Sequence, residues 1–316
     1  MRPGIIGLMC GVVLIALAPA LAFGAATSEI HEAVKKGDVQ AVKALLAKDP
    51  KLVVFKDKNG ETPLHEAARR GRKEIAALLI ANKADLNAHN NRVYWDSTPL
   101  MYAVVNAHKD LVELLLKSNA DPNHQRRTWR VSALHDAVGQ NNIEIVRLLL
   151  EHKANPNVLR WNKGGGAPIH QAKNEEMLKL LLAHGADVNA PNGAGHTVLY
   201  TAVRWNRQGQ VKFLLSNHAD PDVADRGGFT PLHIAAGRDD RYLGVVNQLL
   251  EGGADANART SAGVTPLHRA AESGGPNILK ALLTHKADLH AKTKTGARRL
   301  PLAAKCSAVW PALVLA

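Results

Sequence analysis

Four groups of residues in this 316-residue chain have the types and spacing to do chemistry. The first is histidine. There are 15, enough to raise metal ligation. His65, His135, His170, His233 and His268 hold the fourth place of a recurring tetrapeptide, so no two of them are sequence neighbours. His152, His184, His218 and His285 end apolar segments, where a cation suits a helix dipole. No His-Glu-x-x-His and no paired cysteines occur, so no zinc-type ligand set is expected. The second group is Lys163-Gly164-Gly165-Gly166. A phosphate loop needs Gly-Lys-Ser/Thr running into a helix, but here the glycines precede Ala167-Pro168, which reads as a loop turn. There is no Gly-x-Ser-x-Gly elbow and no kinase set. No enzyme, no cofactor and no metal are expected.

The third group pairs tryptophan with arginine: Arg92-Val-Tyr94-Trp95, Arg126-Arg-Thr-Trp129-Arg130 and Arg160-Trp161-Asn-Lys163. Trp and Arg are the residues most enriched at binding hot spots. The same types stack bases and pair phosphates on a polyanion. Alternatively each ring folds onto its neighbour and stiffens a loop. The fourth group is Arg204-Trp205 with Arg207, joined by Tyr102 and Arg269, which stand just after the fourth, histidine place of the tetrapeptide in two of its copies. Their bland reading is a solvated helix end.

These residues are carried by a repeat. Thr62-Pro63-Leu64-His65 returns as Thr98-Pro99-Leu100, Thr230-Pro231-Leu232-His233 and Thr265-Pro266-Leu267-His268. Altered copies are Ser132-Ala133-Leu134-His135, Ala167-Pro168-Ile169-His170, Thr197-Val198-Leu199-Tyr200 and Leu300-Pro301-Leu302-Ala303. Successive copies begin 36, 34, 35, 30, 33, 35 and 35 residues apart. A fixed period of this size means stacked supersecondary units rather than one closed core. Thr caps a helix with its hydroxyl, and Pro follows where its missing N–H costs nothing. A second apolar helix follows each copy, as in Ile75-Ala-Ala-Leu-Leu-Ile80, and then a turn such as Lys83-Ala-Asp-Leu-Asn87.

Helix, turn, helix and extended finger: over residues 28–316 the sequence closely resembles the ankyrin repeat. The resemblance implies an all-α solenoid of stacked helix-turn-helix units with short β-hairpin-like fingers. It also implies that the motif histidines tie one repeat to the next by hydrogen bonds. The organisation read from it is a capping half-repeat at 28–56, seven repeats over 57–292 and a truncated capping repeat at 293–316. Unit four is short by three residues around Lys173-Asn-Glu-Glu176, and unit six carries an inserted turn, Arg238-Asp-Asp-Arg-Tyr242. The Trp-bearing fingers are the long ones: 14, 12 and 13 residues separate the preceding turn from the Pro slot, against 11 in the next three.

The ends differ. Arg2, the apolar run Ile5 to Leu17 and Ala20-Leu21-Ala22 read as a secretory signal over 1–22, with cleavage as late as 26, or else as an uncleaved anchor. Cleavage leaves one cysteine, Cys306, either a small buried residue or half of an intermolecular disulfide. The apolar end Ala312-Leu-Val-Leu-Ala316 packs on unit seven or offers a partner site. The net charge of +12 suits acidic partners: a protein, an anionic membrane surface or nucleic acid, the last a poor fit to an exported chain.

The expectation is therefore an exported bacterial ankyrin-repeat monomer, periplasmic or secreted, acting as a non-catalytic scaffold. It would bind a partner protein through its concave finger and first-helix surface. Trp95, Trp129 and Trp161 would anchor, Arg92, Arg130 and Arg160 would pair charges, and Tyr94, Tyr102, Arg204 and Trp205 would extend the surface. The alternative is a charge-driven binder of an anionic ligand or membrane.

Overall fold

The structure is a computed structural model that describes residues 29–91, 96–161, 164–273 and 275–294. The signal segment, Cys306 and the end of the truncated repeat lie outside the described residues, as do Arg92, Tyr94, Trp95 and Lys163. The chain divides into two compact units, the first ending at Asn155 and the second beginning at Pro156.

In the first unit the helices come in pairs: α1 (29–36) with α2 (Val39–Lys48), α3 (Pro63–Arg70) with α4 (Lys73–Ala81), α5 (Pro99–Val105) with α6 (Lys109–Lys117), and α7 (Ala133–Gly139) with α8 (Ile143–Glu151). The pairs stack: α3 on α5 and α5 on α7, with α2, α4, α6 and α8 in a second row. Leu64, Ala67 and Ala68 of α3, Leu100, Ala103 and Val104 of α5, and Leu134, Ala137 and Val138 of α7 are all buried in this stack. Alanine at these places lets neighbouring first helices approach closely, as small residues do wherever close-packed helices meet.

In the second unit the shortened repeat has no first α-helix. A single 3-10 turn, Pro168–Gln171, stands in its place, followed by α9 (Glu175–Ala183). Then come α10 (Val198–Arg204) with α11 (Gln208–Ser216), α12 (Pro231–Ala236) with α13 (Leu243–Glu251), and α14 (Pro266–Ser273) with α15 (Pro276–Thr284). The inserted turn of the sixth repeat is a 3-10 turn, Asp240–Tyr242, leading directly into α13.

The motif works through reciprocal capping. The Thr98 hydroxyl accepts the Met101 N–H at 3.4 Å, and Thr197 accepts that of Tyr200 at 3.1 Å. In return His65 Nδ1 accepts the Thr62 N–H at 3.0 Å, with the same bond from Ser132 to His135 and from Thr230 to His233. With Nδ1 accepting, the proton sits on Nε2. That atom of His65 donates to the Ser97 carbonyl of the next repeat at 3.0 Å, and that of His233 to Val264 at 3.0 Å. His65, His170 and His233 are thus spent on holding repeats together.

A second set of bonds runs along the turns. Asn123 Oδ1 accepts the Asn155 N–H at 2.8 Å while its Nδ2 donates to the Lys153 carbonyl at 3.1 Å. Asn157, Asn189 and Asn257 repeat both bonds in the second unit. Asp222 takes the same place between them and accepts from Asp255 at 3.0 Å, but as a carboxylate it has no N–H to return.

The fingers are less regular than hairpins. Among the described residues the only bridge is an isolated antiparallel one, Gln125 to Ser132. The fingers are held instead by turn bonds and by single contacts to the next finger, such as Asn91 N–H to Asn59 at 3.0 Å. No helix among the described residues is long and apolar enough to cross a membrane.

Candidate interaction surface

Most described fingers close on one kind of turn. Asp57 Oδ1 accepts the N–H groups of Asn59 and Glu61, both at 2.8 Å, and the Gly60 N–H returns to the Asp57 carbonyl at 2.9 Å. Gly60 sits at φ +75°, where a side chain would meet Asn91 at 2.7 Å. Asn192 to Gly195, Asp225 to Gly228 and Thr260 to Gly263 close in the same way.

Two described fingers break this rule, and both carry a tryptophan. Over 126–131 the Arg126 N–H donates to the Val131 carbonyl at 3.0 Å and Arg130 N–H to Arg126 at 2.8 Å. The left-handed position falls on Arg130, at φ +50°, with no glycine to absorb it. Trp129 stands beside it, 45% exposed, and Arg130 Nε donates to Gln125 at 2.9 Å. In the second unit Leu159 is 52% and Trp161 74% exposed on a finger that Arg160 closes onto Gly166, with Arg160 itself half-buried. Gly166 is required by close approach: a Cβ there would lie 2.6 Å from His170 Nδ1.

Residues on the first helices are more committed. Tyr102 is held rather than offered. Its hydroxyl donates to Glu61 Oε1 at 2.6 Å and accepts from Asn90 at 3.0 Å, and the Arg69 guanidinium lies 4.6 Å from its ring centre. Arg69 also binds Glu61 and reaches Glu66 at 2.6 Å. Burial, then the bond to Glu61, pushes the Tyr102 phenol up. Arg126 is buried and bridges Ser97 Oγ at 3.1 Å and Asp136 at 2.8 Å, so it braces its finger from below. In the second unit Arg269 lies 5.9 Å from the Phe229 ring centre and pairs with Glu272 at 3.2 Å.

Burial pushes His65 from 6.5 down to about 4, and lowers His170, His196, His233 and His268 in the same direction. His196 stacks on Tyr200 at 4.1 Å, and Tyr200 donates to Asp225 at 3.0 Å. Burial and that bond push the Tyr200 phenol up to about 12. Burial thus favours the uncharged form of these histidines and phenols, each of which sits in a hydrogen-bonding framework within its own unit.

At the far end of α10, Trp205 is 64% exposed between the exposed Arg204 and Arg207. The Tyr242 hydroxyl donates to the Arg204 carbonyl at 3.1 Å, which brings the 238–242 turn alongside. Sequence reading picked out the tryptophan and missed this neighbour, because the pairing joins two repeats.

A family model described as "Ankyrin repeats (3 copies)" matches in overlapping stretches, 30–126, 85–160, 118–192, 134–225 and 199–293. The chain belongs to the ankyrin-repeat family. Its fold is a helical ankyrin-repeat solenoid with almost no strand. The chain is 36% identical over 208 residues to the nuclear factor NF-kappa-B p105 subunit of Gallus gallus, covering 62% of this chain and 21% of that protein. It is 29% identical over 204 residues to the B-cell lymphoma 3 protein homolog of Mus musculus, covering 61% and 44%. Among solved structures it resembles the ankyrin repeat domain of Bcl-3, described as a unique member of the IkappaB protein family. The TM-score is 0.60 and the identity 28%, over 72% of this chain and all of that domain. The chain spans less than half the length of the chicken and mouse relatives it matches.

Proposed function

We propose that this ankyrin-repeat chain is a non-catalytic, monomeric scaffold that binds a partner protein through its fingers and first-helix side. The observation that carries the reading is the coincidence of two departures. Where the Asp-x-x-Gly turn is abandoned, the finger presents a tryptophan, Trp129 in one unit and Trp161 in the other. Local rules given up without a packing gain are characteristic of functional sites. An exposed Trp also carries a hydration cost that binding removes. Trp95 and Tyr94, with Arg92, belong to the same proposal on sequence grounds. Arg130 and Arg160 supply charge at the anchors, Tyr102 supports the surface from within its network, and Arg204 with Trp205 extend it.

Export is part of the proposal and rests on residues 1–22 alone. The periplasm or the medium of a bacterium is the location it implies, and relatives from a bird and a mouse lend it no support. Edman sequencing of the protein recovered outside the cytoplasm is expected to begin between residues 23 and 27.

The binding test is capture from extracts of the source organism on the immobilised chain, beside a Trp95/Trp129/Trp161→Ala variant. A protein retained by the wild type and lost by the variant supports the finger site. Identical retention by both removes the fingers from the proposal.

A further inference from the structure

We propose that the edge formed by the end of α10 and the 238–242 turn is a docking surface for an acidic segment of a partner protein, anchored by one apolar residue. This rests on the scaffold reading above and names the partner chemistry of one part of its surface. The surface is built by the insertion in the sixth repeat. Tyr242 binds the Arg204 carbonyl at 3.1 Å, and Asn206 Nδ2 donates to the Arg241 carbonyl at 3.3 Å. These two bonds flank Trp205 in sequence and lock the turn beside it. Arg238 then lies 5.8 Å from the Tyr242 ring centre. Two aromatic side chains and four arginines, Arg204, Arg207, Arg238 and Arg241, share one edge.

The charge on that edge is only partly neutralised internally. Arg241 is paired with Asp239 at 2.7 Å. Arg204, Arg207 and Arg238 are exposed and have no carboxylate in contact among the described residues. The second helices beside them add to the imbalance. α4, α6, α8 and α9 each carry an acidic residue in the first turn, Glu74, Asp110, Glu144 and the Glu175–Glu176 pair. α11 and α13 carry none, as α2 and α15 also do not. Guanidinium forks match discrete carboxylates, and the 64%-exposed Trp205 ring offers an apolar seat between them. A continuous phosphate track fits less well, because Asp239 and Asp240 stand inside the patch. Asp240 is fixed there: it accepts from Asn277 Nδ2 at 2.8 Å and caps α15 by accepting the Ile278 N–H at 3.3 Å.

The test is a selection of random peptides of about twelve residues on the full chain at physiological salt, about 0.15 M. Labelled copies of the enriched peptides are then titrated by fluorescence anisotropy. The variants are Arg204→Glu/Arg238→Glu, the milder Arg204→Gln/Arg238→Gln, Trp205→Ala, and Trp129→Ala/Trp161→Ala. Far-UV circular dichroism and melting verify that each is folded. The expected result is a set of Asp/Glu-rich peptides with an apolar residue. Their Kd should rise about tenfold or more in the Arg204/Arg238 and Trp205 variants and stay put in the Trp129/Trp161 variant. Neutral or basic peptides, no enrichment, or acidic peptides indifferent to Arg204, Arg238 and Trp205 overturn the proposal. So does binding of a (dT)20 oligonucleotide or phosphatidylserine vesicles through these residues in place of peptides. Enriched peptides that depend on Trp129 and Trp161 alone overturn this proposal and leave the scaffold reading standing. The scaffold reading itself fails only if, in addition, no partner is captured.

Discussion

Glu61 is a buried carboxylate of the first unit. It is 2% exposed and shares its carboxylate between Arg69 and the Tyr102 hydroxyl. Removing one side of such a pair leaves a buried charge without its counterion, which costs more than the pair itself contributes. Arg69→Ala should lower stability by about 3 kcal/mol, and Tyr102→Phe by about 1.5 kcal/mol, read from urea transitions of the first unit. His65 sets a pH dependence. Its ring is neutral when folded because burial disfavours the charged form, whereas the unfolded ring titrates near 6.5. Its contribution is complete above that value and is lost as pH falls toward about 4. The loss is on the order of 3 kcal/mol, and His170, His233 and His268 act in the same direction. Urea midpoints should fall between pH 7 and pH 4; a flat profile would contradict the assigned cause.

Between elements, the turn ladder contains one misfit. Asp222 holds the place that Asn189 and Asn257 hold on either side. Burial of its carboxylate, with Asp220 and Asp255 close by, pushes it up, although the residue as a whole is exposed. Here the sign is opposite to that of the histidines: the penalty is present while the group is ionised and is relieved as pH falls. Asp222→Asn removes the penalty and adds a donor toward the carbonyl of Gly253, as Asn189 does to His218. It should raise stability at neutral pH by about 1 kcal/mol, measured as a shift in melting temperature. Gly166 gives the reverse case. Its Cβ position is filled by His170 at 2.6 Å and Asn192 at 2.9 Å, so Gly166→Ala should destabilise the second unit by roughly 1–3 kcal/mol. Hydrogen exchange at Gly193, which bonds the Gly165 carbonyl at 2.7 Å, should report the same loss locally.

For the whole chain, the net charge of +12 decides how binding responds to salt. A tryptophan-anchored protein interface keeps most of its affinity when exposed charges are screened. A polyanion binder releases counterions and loses about a thousandfold or more over a few-fold rise in salt. Partner capture through Trp129 and Trp161 should therefore weaken by less than about tenfold between low and physiological salt. A steep loss would favour the charge-driven alternative, and titration against salt distinguishes the two before any partner is named.

The sequence alone determined the period, the helix pairs and their caps, because each depends on neighbours within one repeat. Thr62, Pro63 and His65 meet within one helical turn, and the histidine bond to the next repeat, which only the family resemblance implied, is present at His65. The short fourth repeat and the inserted turn of the sixth were legible as counts of residues, though that the first would lose its α-helix to a 3-10 turn was not. The hairpin-like fingers are set by Asx and glycine turn bonds, which leave a single isolated bridge among the described residues. The rest belonged to tertiary structure. Tyr102 and Arg126 look like surface ligands in the sequence but are tied to Glu61 and Asp136, 41 and 10 residues away. Tyr242 meets Arg204 across 38 residues. Which polar side chains are spent and which are left over is a sum over contacts between repeats. Such contacts depend on the register of the stack, which no single repeat encodes.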